Sequence, residues 1–539
     1  MEDVGLKDWK NKRMKLKYSK NRLIFFIIII LVTIVVSCKS SFTKNLQKPN
    51  FIFILVDDLG WTDLGCYGSS FYETPNIDKL AGESTKFTNA YAACPVCSPT
   101  RASIMTGKYP ARIHLTDWIP GRQKFTGPQP CDELIPKEFE QQMKLEEITI
   151  AEALKAAGYR TFFAGKWHLG EDSIYWPESQ GFDINKGGWG RGWPDGGYFS
   201  PWVNPRLENG PAGENLTDRL TSESIQFLES VENDPFFLYL SFYAVHTPLQ
   251  AKEELIRKYE KKSDSLGLTT IEQTVSDRDW MTKAPPRGTF VERILQGHTV
   301  YSGMIETVDL NVGRIMNKLA ELDLVDNTII FFMSDNGGLS TAEGSPTSNL
   351  PLRAGKGWLY EGGIRVPMFV KWPGMTEYGR SERGKQEQLS LEHGSLQPGR
   401  VCDMPVISTD FYPTILEMAG MDLNPGQHMD GISLVPLLTE NSYNDERPIF
   451  WHYPHYSNQG GKPGAAVRLG KYKLIEFFED NKVELYDLES DIGEQNDLSG
   501  QMPDKANDLM DLLHKWQREV NAAMMDPNPG YDQNYIRKN

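Results

Sequence analysis

Four times along the chain a short, continuous apolar run rich in Ile, Val and Phe ends abruptly in polar residues: NFIFILVDDLG (50–60), YRTFFAGKWHLG (159–170), PFFLYLSFYAVHTP (235–248) and NTIIFFMSDNGG (327–338). Each run has the length of one strand and lacks the alternation of a half-exposed one, which is the pattern of a strand buried on both faces. Helix-forming segments lie between them at 149–157, 220–231 and 305–321. Strands alternating with helices predict an α/β protein with a mostly parallel sheet sandwiched by helices. Ligands in such sheets collect at the carboxyl ends of the strands, so the polar ends of the four runs predict one shared site.

From about Arg447 the pattern changes. RPIFWHYP, AVRLGKYKLIEF and KVELYDLES have the texture of successive antiparallel strands, and 504–524 that of an amphipathic helix. Together they predict a smaller C-terminal α+β domain built on an antiparallel sheet. Two polar stretches, 260–291 and 376–399, are expected to be long surface loops. No repeat of fixed period is visible.

The N-terminus obeys a different logic. A basic segment precedes an apolar stretch over 23–36 that is too short for a comfortable membrane span, and Val35-Val36-Ser37-Cys38 comes directly after it. Small residues before a cysteine resemble the lipobox of bacterial lipoproteins, with Cys38 the lipidated residue; an uncleaved anchor helix is the alternative. Met14 is a second candidate start. Both readings place the bulk of the chain outside the cytoplasm, and multiple acylation would anchor it stably. The expected organisation is a signal peptide over 1–37, a tether over 38–47, the main domain over 48–440, the C-terminal subdomain over 441–525 and a tail over 526–539.

The 539 residues, 40% hydrophobic and 11% aromatic, suffice for one large core and a smaller one. A formal net charge of −15 argues against a nucleic-acid partner. Any anion must therefore be held by a local cationic cluster. Of the 6 cysteines, the five other than Cys38 are thinly spread and imply no disulfide framework.

Asp57, Asp58, Asp335 and Asn336 are oxygen donors without a histidine or cysteine among them, a set suited to Ca²⁺ or Mg²⁺. One such pair alone would read equally well as a turn or cap; two pairs at strand ends, each followed by glycine, favour a metal. Lys166, His168, His246 and Lys356 form the candidate cationic set. His168 and His246 stand at strand mouths, and Lys356 lies in the glycine-rich RAGKGWLYEGGIRVP (353–367). His114, His298, His393, His428 and His514 have no such setting and are expected to be structural. Cys94-Pro-Val-Cys97 has redox or zinc spacing, but no thioredoxin-type unit surrounds it and no second cysteine pair exists. The residues after it explain more. Pro99 in Cys97-Ser-Pro-Thr-Arg101 suits a first helical turn, which puts Cys97 at the positive helix end where anions bind.

With these residues in view the chain resembles the type I sulfatases of the alkaline phosphatase superfamily over 48–498. The resemblance rests on NFIFILVDDLGWTDLGCYG, TPNIDKLAGESTKFTNAYAACPVCSPTRASIMTGKYPAR, GKWHLG, SDNGG and GKGWLYEGGIRVPMFVKWPG, with DFYPTILEMAG and ELYDLESDIGEQNDL further on. Cys97, with proline at +2 and arginine at +4, matches the family's Cys-x-Pro-x-Arg motif; Cys94 does not. The resemblance implies that Cys97 is oxidised to formylglycine, whose aldehyde hydrate attacks sulfur. It implies Ca²⁺, or less expectedly Mg²⁺, on Asp57, Asp58, Asp335, Asn336 and the modified Cys97. His246, helped by Lys356, would protonate the leaving alcohol, and His168 would deprotonate the second hydroxyl to expel sulfate. Arg101 and Lys166 would hold the nucleophile. Implied partners are a sulfated polysaccharide, algal or glycosaminoglycan, a formylglycine-generating or anaerobic maturase, and a membrane reached through the lipid; the implied location is the periplasm or cell surface. Trp118, Arg122, His452 and His455 are candidate sugar contacts. The alternatives are a phosphodiesterase or phosphonate hydrolase of the same superfamily, or a catalytically silent glycan-binding lipoprotein with Cys97 unmodified.

Overall fold

A computed structural model of the protein describes residues 48–122, 124, 127–276, 291–373, 399–439, 447–532 and 535. The expected signal peptide, Cys38, the tether, His393 and most of the 376–399 stretch lie outside the described residues. Contacts divide the chain into Met1–Lys48 and Pro49–Asn539, and the described sheets and helices belong to the second unit.

The first apolar run forms β1 (Asn50–Val56), buried at every position. Its side chains alternate between two cores. Ile52, Ile54 and Val56 belong to one and Phe51, Phe53 and Leu55 to the other. Helices cover both faces. Pro75–Gly82 (α1), Leu216–Ser230 (α2) and Thr299–Glu321 (α3) contribute to the first core, while Cys97–Thr106 (α4), Ile150–Ala156 (α5) and Phe411–Met418 (α6) contribute to the second. Fully burying one such Ile or Phe stabilises the fold by roughly 1.5–3 kcal/mol, which is why continuous apolar runs occupy this layer.

The sheet has eight strands in the order Val401–Cys402, Thr85–Phe87, Met368–Lys371, Thr328–Ser334, β1, Phe236–Ser241, Arg160–Gly165, Ile184–Lys186. Only Met368–Lys371 runs against the others. The four sequence-predicted strands are consecutive in this order and parallel. Their registers align the carboxyl ends: Val56 pairs with Ser334, Leu55 with Ser241, and Gly165 with Ser241. Asp57, Asp335 and Lys166 therefore emerge along one edge.

Helix starts lie where caps place them. Thr149 and Glu152 form a capping box at α5, and Asn215 caps α2 by accepting from the Thr217 amide. α2 and α3 begin earlier than expected, at Leu216 and Thr299, and in α2 the polar Thr217-Asp218-Arg219 hides that beginning from apolar periodicity. The expected loop over 260–291 is corrected towards its ends, residues 277–290 lying outside the described residues. Glu253–Ser265 is a helix whose buried stripe, Leu255, Tyr259 and Ser263, is narrow among charged residues, and Thr274–Ser276 pairs with Val291–Arg293.

The C-terminal sheet has four antiparallel strands, Ile449–Tyr453, Gly464–Leu469, Tyr472–Phe477 and Val483–Asp487, with helix Pro503–Glu519 packed against it. AVRLGKYKLIEF is thus two strands around a tight turn. The expected tail is also corrected at its start, since Asp526–Pro527 pairs with Leu134–Ile135.

A buried ionic network joins this sheet to the segment that carries Lys356. Lys473 Nζ lies 2.9 Å from both Glu361 Oε1 and Glu494 Oε1, and all three side chains are inaccessible. Glu361 Oε2 accepts from Arg365 Nε at 2.6 Å and from the Tyr91 hydroxyl at 2.8 Å. The Glu361 amide donates to Glu494 Oε2 at 2.7 Å. Burial opposes ionisation of Glu361, but Lys473 and Arg365 outweigh it and hold the carboxyl below its usual range. Burial pushes Glu494 up, with Lys473 working against it. Lys473→Met would leave two buried carboxylates without their shared cation and should cost about 3–5 kcal/mol, read as a lowered thermal midpoint, whereas Glu494→Gln should cost less. A Lys473→Met protein that melts with the wild type would contradict this role.

Candidate active site

The carboxyl edge of the sheet concentrates charge in the interior. Asp57 and Asp58 come after β1, and Asp335 and Asn336 after Thr328–Ser334; all are at most 1% exposed. Oxygens of Asp57, Asp58 and Asp335 lie within 4.8 Å of one another. Asp58 has φ +62°, a left-handed conformation that aspartate tolerates better than most residues. Its amide donates to Asp335 Oδ1 at 3.2 Å, and Asn336 Nδ2 donates to its Oδ1 at 2.8 Å.

Each carboxylate accepts a hydrogen bond from one cation, and Arg101 Nη2 lies in addition 3.6 Å from Asp57 Oδ1. Lys166 Nζ donates to Asp57 Oδ2 at 2.7 Å, Lys356 Nζ to Asp58 Oδ2 at 2.7 Å, and Arg101 Nε to Asp335 Oδ2 at 2.9 Å. Arg101 also donates to the Lys166 carbonyl at 2.8 Å and to Ser241 Oγ at 2.6 Å, which fixes its guanidinium. Against the cost of burial, Lys356 and Arg101 hold Asp58 and Asp335 below the usual carboxylate range. Burial pushes Asp57 up, with Lys166 opposing it. Two oxygens stay unsatisfied: Asp57 Oδ1 and Asn336 Oδ1 are buried without a hydrogen-bond partner. A buried orphan acceptor costs about 1–3 kcal/mol. Two of them within an all-oxygen donor set fit a hard cation.

Cys97 is the first residue of α4, and every residue of that helix is buried. Its Sγ lies 3.4 Å from His168 Nδ1, and His168 Nε2 is engaged by the Ile119 carbonyl. Burial pushes the Cys97 thiol up despite Lys166 and Lys356, so it is a poor thiolate nucleophile. Gly192 packs on the His168 ring, where a Cβ would come within 2.2 Å of Cε1. His246 lies beyond the end of Phe236–Ser241, with Nδ1 2.7 Å from the Thr247 carbonyl and Nε2 3.8 Å from Asp58 Oδ2. Burial, with Lys356 beside it, pushes His246 down to about 3. Burial with Lys166 nearby likewise puts His168 well below the usual histidine range.

Cys97, His168, His246 and Lys356 face one pocket of about 370 Å³, whose walls include Trp118 and Trp193. The structure thus gathers Asp57, Asp58, Cys97, Arg101, Lys166, His168, His246, Asp335, Asn336 and Lys356, and places Trp118 at the mouth. It does not bring Arg122, His452 or His455 there. Arg122 is ion-paired to Asp132 at 3.0 Å, in a separate small cleft that it shares with His455. His455 Nε2 lies 2.8 Å from Thr116 Oγ1. His452 is buried, with Nε2 2.9 Å from the Ala523 carbonyl and Nδ1 3.4 Å from Gln517 Nε2. As contacts to a sugar in the catalytic pocket these three are corrected: none of them lines it, Arg122 being paired with Asp132 and both histidines buried against other partners. Sequence reasoning missed Ser241, Gly192, Trp193, Glu343 and Gln459; only the Trp-Gly-Arg-Gly-Trp run over 189–193 gave a signal.

Comparison with known proteins agrees with this geometry. The Sulfatase family model matches residues 49–421, and the model for the C-terminal part of N-sulphoglucosamine sulphohydrolase matches 354–522. A sulfatase of Formosa agariphila is 29% identical, with 89% of this chain and 90% of that protein covered. Human N-acetylgalactosamine-6-sulfatase is 30% identical over 79% of this chain and 71% of its own. The crystal structure of Ps i-CgsB in complex with k-i-k-neocarrahexaose is 28% identical with a TM-score of 0.67, covering 91% of this chain and 95% of that one. With the family model spanning most of the chain and the carboxylates, cations and cysteine gathered at the strand ends, the protein belongs to the sulfatase family and is a sulfuric ester hydrolase of alkaline phosphatase-like fold.

Proposed function

We propose that the protein releases sulfate from a sulfated polysaccharide or its oligosaccharides through a formylglycine made from Cys97 beside a Ca²⁺ ion. The observation that carries this is the position of Cys97, between His168 and the balanced Asp–Lys–Arg cluster at the floor of the pocket. The chain's relatives include a carbohydrate sulfatase and a protein in complex with a carrageenan-type oligosaccharide. A sulfate ester rather than a phosphonate is favoured by the sulfatase names of those relatives. A silent glycan-binding role is disfavoured by a full set of chemically able residues in one place.

Asp57, Asp58, Asp335 and Asn336 are the residues that would hold the cation, the unsatisfied Oδ1 atoms of Asp57 and Asn336 being natural ligands. Bound there, a divalent ion would polarise sulfate oxygens and offset their charge. Three carboxylates already balance Lys166, Lys356 and Arg101, so a cation leaves the floor net positive and ready for an anion. Lys356 and His246 flank the place of the ester oxygen. The negative charge of a bound sulfate compensates the burial and lysine repulsion that keep His246 neutral, which lets it carry the proton that the departing alcohol needs. His168, next to Cys97, takes the proton from the second hydroxyl of the hydrated aldehyde as sulfate leaves. Arg101 and Lys166 keep the Asp pairs in register and the nucleophile in place. The proposal extends to an exported, lipid-anchored protein, supported by the apolar 23–36 run before Cys38, and to a maturase that oxidises Cys97.

Cys97→Ala should abolish sulfate release while Cys94→Ala retains most of it, and mass spectrometry of the peptide carrying Cys97 should find an aldehyde in place of the thiol. An active enzyme with an intact Cys97 thiol would refute the mechanism. Chelation should lower sulfate release by at least about 100-fold, consistent with several kcal/mol of charge stabilisation, and Ca²⁺ should restore it; chelator-resistant turnover would exclude the metal. Gly192→Ala should lower kcat by about 10- to 100-fold by displacing His168, with KM changed less; unchanged kcat would show that the His168 ring position does not matter.

A further inference from the structure

The substrate pocket of an enzyme for anions contains a carboxylate. Among the described residues lining it, Glu343 is the only acidic one. It sits in a tight turn with φ +53°, followed by Gly344 and Ser345, also at positive φ. Its side chain is directed by its neighbours: Oε1 accepts from Gln459 Nε2 at 2.7 Å and Oε2 from Thr247 Oγ1 at 3.4 Å. Thr247, Asn458 and Gln459 line the same pocket, as do Trp118 and Trp193. The catalytic-site cations are hydrogen-bonded to Asp57, Asp58 and Asp335, and Lys356, held by Asp58, also feels the charge of Glu343 without an ion pair to it among the described residues.

We propose that Glu343 is a specificity-determining residue that selects, beside the scissile sulfate, a sugar ring carrying free hydroxyl or amide groups and rejects one with a second sulfate or a carboxylate there. This rests on the sulfatase reading. Carboxylate and side-chain amide oxygens accept hydrogen bonds from hydroxyl and N–H groups, and an indole face suits the C–H face of a pyranose ring. Glu343 is exposed at the pocket, and a second anionic group would meet it there as a like charge, a juxtaposition that discriminates between ligands without new attractive contacts. The floor binds one sulfate and the wall excludes another, so the pocket distinguishes singly from doubly sulfated residues.

The test is sulfate release from N-acetylgalactosamine 6-sulfate and N-acetylgalactosamine 4,6-disulfate by the metal-loaded, full-length enzyme. The wild type should favour the monosulfate by roughly tenfold or more in kcat/KM, mostly through KM. Glu343→Gln keeps the shape and the acceptor for Gln459, and should bring the ratio close to one. Glu343→Lys should reverse it. The ratio is independent of the fraction of enzyme that folds or matures, so a poorly folding variant still reports. A ratio that is the same in all three proteins overturns the role of Glu343 and leaves the sulfatase reading standing. Release from neither substrate by a wild type that still hydrolyses p-nitrophenyl sulfate overturns this proposal and leaves the sulfatase reading standing, whereas release from none of the three overturns that reading as well.

Discussion

Three aspartates buried within a few ångströms of one another are the constraint around which the molecule is arranged. Their mutual repulsion in a low-dielectric interior would be prohibitive without compensation. The compensation is specific: one lysine or arginine is assigned to each carboxylate, from a different element in each case. Lys166 comes from the end of Arg160–Gly165, two strands from β1, Arg101 from the helix that begins with Cys97, and Lys356 from a glycine-rich loop. The same pairs that tame the carboxylates therefore fix the position of the nucleophile's helix and of the cationic loop.

That loop is secured from behind. Glu361, Arg365, Lys473 and Glu494 tie the segment after Lys356 to the C-terminal sheet, without solvent access. Gln459 and Asn458, from the same region, reach the pocket wall. The C-terminal subdomain is thus a part of the site's support and of its rim. This explains why His452 and His455, attractive in sequence as sugar contacts, are occupied with backbone and hydroxyl partners.

The α/β class and seven of the ten residues gathered at the site were legible in the chain because strands buried on both faces are continuous apolar runs, and chemistry collects where they stop; Cys97 and Arg101 stood out by their motif and Lys356 by its glycine-rich loop. Cys97 was distinguished from Cys94 by Pro99 and Arg101, and the structure gives Arg101 a reason: it reaches from α4 to Asp335. What escaped was information carried by long-range geometry. Gly192 is required by the ring of His168, and Ser241 by the guanidinium of Arg101, neither of which is near in sequence. Glu343 and Gln459 meet across more than a hundred residues. Glu253–Ser265 was missed although Leu255, Tyr259 and Ser263 recur at helical spacing, because the charged residues around them gave the segment the composition of a surface loop.

Everything proposed for the chemistry depends on the carboxylate cluster being a cation site. The most direct measurement is anomalous X-ray scattering from crystals of the protein grown with Ca²⁺. The expected result is one anomalous peak bounded by Asp57, Asp58, Asp335 and Asn336, with the unsatisfied Oδ1 atoms of Asp57 and Asn336 among its ligands. No peak there at saturating Ca²⁺, with the Asp–Lys and Asp–Arg pairs intact, would contradict it.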